Sequence, residues 1–482
     1  MSNEIRSLEP KALWNNFANL NEIPRPSKKE ERVRQFMVDF GENLGLKTIV
    51  DPVGNVIIKK PASKGMENRK TIVMQSHLDM VCQKNSDTDF DFDTQGIKMF
   101  VDGDWVKAKG TTLGADNGLG VASIMSVLES SDIDHPAIEA LFTIDEETGM
   151  TGARGLQAGY LDGEILLNLD TEDDDEIGVG CAGGIDVSAL RTCELIETPG
   201  NAKAFKITVT GLRGGHSGMD IHRGFANANK LMNRILYALK DAVSISEIDG
   251  GGLRNAIPRE SNVLIVCDDE ENLKALFNQV SREIRKEYQS IEKDFEILIE
   301  PADVPKTILS EPDQDTLVKA VYAVHNGVFR MSPDIEGLVE TSNNLARVVL
   351  KDGEIKISCL TRSSVESGKM DLACHIKSGL ELGGFKVELR GSYPGWKPNP
   401  DSAILKVLEG IYEKIFGKKP DVLACHAGLE CGILGTNYPE MDMISFGPTI
   451  RGAHSPDERA SISSSQKYWK YLLEILENIP PV

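Results

Sequence analysis

The stretch Thr71-Ile-Val-Met-Gln-Ser-His77-Leu-Asp79-Met80 decides the fold. Its apolar, partly β-branched run has the composition of a buried strand, yet it ends in a histidine and, two residues on, an aspartate. Two further runs follow the same plan. Ala140-Leu-Phe-Thr-Ile-Asp145 feeds into Glu146-Glu147, and Ile165-Leu-Leu-Asn-Leu169 closes on Asp170. Three buried strands thus deliver ionisable side chains at their carboxyl ends, where open α/β sheets place their binding crevice. A sheet rim has no use for such charge unless something binds it, and histidine among carboxylates points to metal.

Working outward, Ser27-Lys-Lys-Glu30 reads as a capping box, followed by Val33, Phe36, Met37, Phe40 and Leu44 at helical spacing. Leu46 to Val50 and Asn55 to Lys59 read as a hairpin. Gly114-Ala-Asp116-Asn-Gly118-Leu-Gly120 brings backbone close to whatever Asp116 touches, and a helix continues over Val121 to Leu128. The alternation of strand and helix up to Asp170 predicts a largely parallel sheet flanked by helices. After Gly178 the texture changes to half-exposed alternating strands such as Ala204 to Thr210, with amphipathic helices near Asn227 to Leu239, Glu270 to Tyr288 and Ser367 to Leu382. Ser392-Tyr-Pro-Gly-Trp-Lys-Pro-Asn-Pro400 reads as a linker, since proline interrupts any element there. From Asp401 the α/β texture resumes, with strands at Val422 to Ala424 and Asp442 to Phe446 and a last helix over Ile462 to Ile479. The expected architecture is therefore α/β: a catalytic domain with a mixed, largely parallel sheet, formed by residues 1–185 and 398–482, interrupted by an inserted α+β domain with a mostly antiparallel sheet at 186–397.

The 482 residues exceed what one hydrophobic core comfortably serves, which also argues for two domains. Lys+Arg 53 against Asp+Glu 74 leaves a net charge of −21, which repels a phosphate backbone and excludes nucleic acid as a partner. The opening Met1-Ser-Asn-Glu-Ile-Arg has no basic segment or apolar core of a signal, and no apolar run reaches the ~18 residues of a membrane span, so a soluble cytoplasmic protein is expected. The 8 cysteines are scattered without a Cys-x-x-Cys pair, as reduced thiols are.

A dinuclear site needs nitrogen and oxygen ligands on rigid elements and a carboxylate able to bridge ions ~3.5–4 Å apart. His77, Asp116, Glu147 and Asp170 supply most of that set. A second histidine is required, and either His426 or His454 fits the spacing. Each motif also has a plainer reading. A lone His-x-Asp is most often a satisfied polar pair, Asp116 between glycines suits a turn, His216 suits a loop tip, and Arg362 suits a surface ion pair. The acidic run Glu172 to Glu176 reads as a solvated loop. His135, His222, His325 and His375 read as structural.

In this order, His77-Leu-Asp79, Gly114-Ala-Asp-Asn-Gly118, Asp145-Glu-Glu147, Asn168-Leu-Asp170, Gly215-His-Ser-Gly218 and Gly452-Ala-His454 resemble the zinc dipeptidase, carboxypeptidase and acetylornithine deacetylase superfamily. The long insertion, Leu253-Arg-Asn-Ala-Ile-Pro258, Cys359-Leu-Thr-Arg362-Ser-Ser and Gly428-Leu-Glu-Cys-Gly432 most resemble its aminoacyl-histidine dipeptidases. The resemblance implies two Zn²⁺, with Mn²⁺ or Co²⁺ as admissible substitutes. Asp116 would bridge them, His77 and Asp170 would hold one, and Glu147 and His454 the other. Glu146 becomes the general base that activates a metal-held water for attack on the peptide bond, and Asp79 orients His77. His216 would stabilise the oxyanion, often from a partner subunit, and Arg362 would hold the substrate's carboxylate. Glu430 is a candidate for its amino group.

The implied activity is hydrolysis of dipeptides, including β-alanyl-histidine, by a homodimer joined through the inserted lid domain. A tripeptidase or N-acyl amino acid deacylase would share the metals and differ in the lid pocket. An inactive binding protein on the same fold is a third class, and the intact Glu146 speaks against it.

Overall fold

The computed structural model describes residues 3–399, 401–426 and 428–482. Met1 and Ser2 of the opening segment, Pro400 of the expected linker and Ala427 beside His426 lie outside the described residues. The chain divides into two compact units, one of Met1–Gly180, Pro398–Ala424 and Leu429–Val482 and the other of Cys181–Lys397 with Cys425–Gly428.

The first unit is organised on an eight-stranded mixed sheet. At its centre Ile72–His77 runs parallel to both Ile138–Thr143 and Ile165–Asn168, and Asp442–Ser445 adds a further parallel neighbour beyond Ile165–Asn168. The three central strands are buried along their whole length, as a strand covered on both faces must be. The hairpin Lys47–Val50 and Val56–Lys60 continues the sheet antiparallel from Ile138–Thr143. Ala115–Glu129 is apolar almost all round and is buried throughout its length apart from Asp116 and Glu129, packing on Ile72–His77 and on the helix Lys11–Asn21. No helix among the described residues is long and apolar enough to cross a membrane.

Two local expectations change. The helix after Ser27 begins at Glu31, and Ser27 caps nothing: its hydroxyl donates to Oδ2 of Asp79 at 2.8 Å. The acidic run is no solvated loop either. Asp174 pairs with Lys467 at 2.5 Å, Asp175 with Lys418 at 2.9 Å, and Asp173 with Arg451.

The second unit carries a nine-stranded sheet in which every pairing is antiparallel. Helices Ala228–Leu239, Glu270–Tyr288, Glu311–Ala323 and Glu366–Leu382 contribute Leu231, Ile235, Phe277, Ile284, Leu317 and Ile376 to a core shared with Val187, Ile207, Ile265 and Ile357 of the strands. Asn227 caps the first of these helices by accepting from the amides of Asn229 and Lys230. Ser392 and Tyr393, read from sequence as linker, end the strand Lys386–Tyr393.

Candidate active site

The strand ends of the first unit bring their charged side chains together. Nε2 of His77 lies 3.1 Å from Oδ1 of Asp116 and 3.6 Å from Oδ1 of Asp170. Nε2 of His454 lies 3.1 Å from Oδ2 of Asp116 and 3.1 Å from Oε2 of Glu147. Asp116 therefore offers one oxygen to each histidine. Two sets of donors, His77-Asp116-Asp170 and Asp116-Glu147-His454, share that carboxylate, each with its atoms within 4.8 Å of one another. Glu146 joins His77 and Glu147 in a third such group.

This arrangement fits a pair of divalent cations. Imidazole nitrogen and carboxylate oxygen are the donors that zinc, manganese and cobalt accept. Oε1 of Glu147 is buried without a hydrogen-bond partner, leaving a free oxygen on that carboxylate. The charge balance points the same way. Burial drives the carboxyl groups of Glu146 and Asp170 well above the usual range, and although His77 opposes this, neighbouring carboxylates push both further. Asp116 goes the other way: burial resists its ionisation, but hydrogen bonds from His454 and His77 hold it below the usual range. His454 is pushed up to about 11 by its hydrogen bonds to Asp116 and Glu147. Cations held by neutral imidazoles would meet the same excess of negative charge.

The cluster is held by buried groups on either side of the Asp116 loop. Glu458 accepts from four consecutive backbone amides: Leu113 at 2.7 Å and Gly114 at 3.0 Å through Oε2, Ala115 at 2.8 Å and Asp116 at 3.3 Å through Oε1. Such a run of converging amides forms because Gly114 adopts φ 70°, a left-handed conformation that a side chain would strain. Arg25, only 1% exposed, spans the same loop and the His77 strand end, donating to the carbonyls of Leu78 and Asp79 at 3.1 Å and of Gly114 at 2.6 Å.

Asp79 fixes the acidic turn. Its Oδ1 accepts the amide of Glu146 at 3.0 Å and its Oδ2 that of Glu147 at 3.2 Å. Nδ1 of His77 is nearer the backbone carbonyl of Asp79, at 3.1 Å, than its carboxylate, at 3.4 Å. Glu30 accepts the amide of Asp145 at 3.0 Å. Asp145 and His454 both have positive φ, 53° and 63°, so backbone strain gathers where the ligands are presented. Glu430 is fully buried, with Oε2 accepting from Gln75 at 2.7 Å and Thr143 at 2.6 Å.

The remaining candidates belong to the second unit. Nδ1 of His216 accepts the amides of Gly218 at 3.2 Å and Met219 at 3.0 Å, which places the ring proton on Nε2. Burial and then the charge of Arg362 hold its pKa down, so the ring stays neutral. Arg362 is 4% exposed and touches Tyr393 Oη at 2.8 Å and Ser217 Oγ at 3.4 Å. His426 sets Nε2 against Ser342 Oγ at 2.8 Å and belongs to none of the donor groups among the described residues.

Sequence reasoning did not pick out Arg25, Glu458, Ser27 or Glu30. Neither Arg25 nor Glu458 carries a local signal, since their partners lie far along the chain, and Ser27 and Glu30 are masked by their likeness to a helix cap.

Residues 73–478 match the sequence profile of peptidase family M20/M25/M40. The chain belongs to that family. As an M20 peptidase it is a metal-dependent peptide hydrolase, and its fold is the family's catalytic and lid architecture. It is 44% identical to the cytosol non-specific dipeptidase of Escherichia coli (strain K12) over 481 residues, 99% of each chain. The crystal structure of aminoacylhistidine dipeptidase from Vibrio alginolyticus superposes with a TM-score of 0.94 at 45% identity, covering 99% of this chain and 98% of that one. Aminopeptidase PepT from Bacillus cereus, at 16% identity, a TM-score of 0.58 and 98% and 99% coverage, shares the fold.

Proposed function

We propose that this M20 peptidase is a cytoplasmic, homodimeric dipeptidase that cleaves aminoacyl-histidine dipeptides, β-alanyl-histidine among them, with two zinc ions per chain. The observation that carries the reading is Asp116, whose two oxygens face His77 and His454 separately. His77, Asp116 and Asp170 would hold one ion, and Asp116, Glu147 and His454 the other. Ions bound there supply a water of lowered pKa and polarise the peptide carbonyl.

The chain's own residues do the rest. Glu146, whose amide is fixed by Asp79, takes the proton of the attacking water and returns it to the leaving amine. His216, with its proton on Nε2, donates to the tetrahedral oxyanion. Arg362 is a buried guanidinium with no carboxylate within ion-pair distance among the described residues, and it receives the terminal carboxylate of the substrate. The lid unit would carry the dimer contact.

The names of the two relatives differ on breadth, non-specific against aminoacylhistidine, so specificity needs its own measurement. Protein stripped by chelator and reloaded with Zn²⁺, Mn²⁺ or Co²⁺ is assayed on β-alanyl-histidine, other dipeptides, tripeptides and N-acetyl amino acids. The reading expects free-amine dipeptides to be cleaved best and Xaa-His to lead among them. Preference for tripeptides or acylated amines would replace it with the tripeptidase or deacylase reading.

A further inference from the structure

We infer that Tyr393 is a positioning residue for the carboxyl end of the substrate, orienting the guanidinium of Arg362 through a hydrogen bond laid across Gly184. The inference rests on the reading of Arg362 as carboxylate anchor and adds what makes that anchor specific. Three adjacent strands build it. In the ladder Arg362 of Glu354–Ser363 stands opposite Gly184 of Gly183–Thr192, and Gly184 stands opposite Tyr393 of Lys386–Tyr393. Adjacent strands are ~4.8 Å apart, so Arg362 and Tyr393 are second neighbours that a side chain on the middle strand would separate.

The middle residue has none. A Cβ on Gly184 would lie 2.5 Å from Tyr393 Oη and 2.6 Å from its Cζ, which shows that the ring lies over the glycine. A register shift between Arg390 and Tyr393 precedes this placement, as a bulge does when it re-aims a side chain. Lys369, 1% exposed, ties down the backbone beneath it by donating to the carbonyl of Tyr393 at 2.7 Å and to Ser392 Oγ at 2.9 Å.

The phenol then accepts from Nη1 of Arg362 at 2.8 Å, while Ser217 Oγ lies 3.4 Å from Nε. Hydroxyls orient a guanidinium without neutralising it. Of its five N–H groups, two are engaged, one on Nε and one on Nη1, and three remain for a carboxylate, one on Nη1 and both on Nη2. A buried cation held in this manner keeps its charge for an anionic ligand.

Tyr393→Phe keeps the ring over Gly184 and removes only the acceptor. KM for a dipeptide with a free carboxylate should rise about ten-fold, with kcat within two-fold. KM for the matching dipeptide amide should not move. Gly184→Ala, which displaces the ring, should give the same split, and Tyr393→Phe added to Arg362→Met should raise KM no further than Arg362→Met alone. If Arg362→Met raises KM and Tyr393→Phe does not, or if Tyr393→Phe weakens acid and amide equally, Tyr393 has no positioning role. If Arg362→Met itself leaves KM unchanged, the anchor reading falls and this inference falls with it.

Discussion

The two units treat buried charge in opposite ways. In the first, Asp79, Asp116, Glu146, Glu147, Asp170, Glu430 and Glu458 crowd together with two imidazoles and Arg25. In the second, Arg362, His216 and His426 are gathered with hydroxyls from Ser217, Ser342 and Tyr393. An excess of carboxylate is a cradle for cations, and a guanidinium among hydroxyls, with no carboxylate at ion-pair distance among the described residues, is a cradle for an anion. The same low dielectric that makes each unmet charge costly makes each specific for its complement. The first also spends backbone amides on its carboxylates, four on Glu458 and two on Asp79, which fixes the ligands before any ion arrives.

The sharpest way to break this contrast is inside the anionic cradle. Glu146→Gln should lower kcat by about 10²–10⁴-fold while metal content stays constant, because the amide keeps its shape and cannot take a proton. Full activity in that variant would remove Glu146 from the chemistry. Glu458→Gln replaces an acceptor oxygen by a donor that meets amides already pointing at it. Metal affinity, read by calorimetry on chelated protein, should fall about 10–100-fold, and an unchanged affinity would show that the Asp116 loop holds itself.

The cationic cradle predicts a different pH response. His426 is depressed to about 3 by burial and then by Arg362, His216 and His222, whereas an unfolded histidine titrates near ~6.5. Between those values the unfolded chain binds a proton that the folded chain refuses, so stability present above pH ~6.5 is lost as pH falls. The slope should approach, at most, about 1.4 kcal/mol per pH unit between pH 6 and 4, and His426→Gln should flatten it in denaturant titrations. An identical slope in the variant would assign the effect elsewhere. Ser27→Ala, which removes one donor to Asp79, should cost about 1 kcal/mol of stability and leave kcat within a few-fold. A collapse of activity would mean that the acidic turn depends on that single hydroxyl.

Much of this is legible in the sequence. His77 and Asp170 stood out because a buried strand that ends in charge is physically odd, the hairpin and the helix after Gly120 followed from their turn and glycine signals, and the antiparallel texture after Gly178 followed from strand alternation. What escaped shares a cause. Glu458 meets its amides more than three hundred residues away, and Arg25 reaches Gly114 eighty-nine residues on, so no local pattern marks either. Ser27 and Glu30 obey the local rule for a helix cap, yet tertiary contacts with Asp79 and Asp145 take their side chains. Tyr393 looked like linker because prolines follow it, and its part depends on a register shift that sequence does not display. The acidic run at Asp173 to Asp175 was misread for the same reason: Arg451, Lys467 and Lys418 come from the far end of the chain.

The most direct test is to count ions on chelated protein titrated with Zn²⁺, comparing wild type, His454→Ala and Asp116→Ala. Two ions per wild-type chain, one in His454→Ala and neither held tightly in Asp116→Ala would be the signature of a shared carboxylate. A wild type that binds a single ion, or an Asp116→Ala protein that still binds two with unchanged affinity, would contradict it.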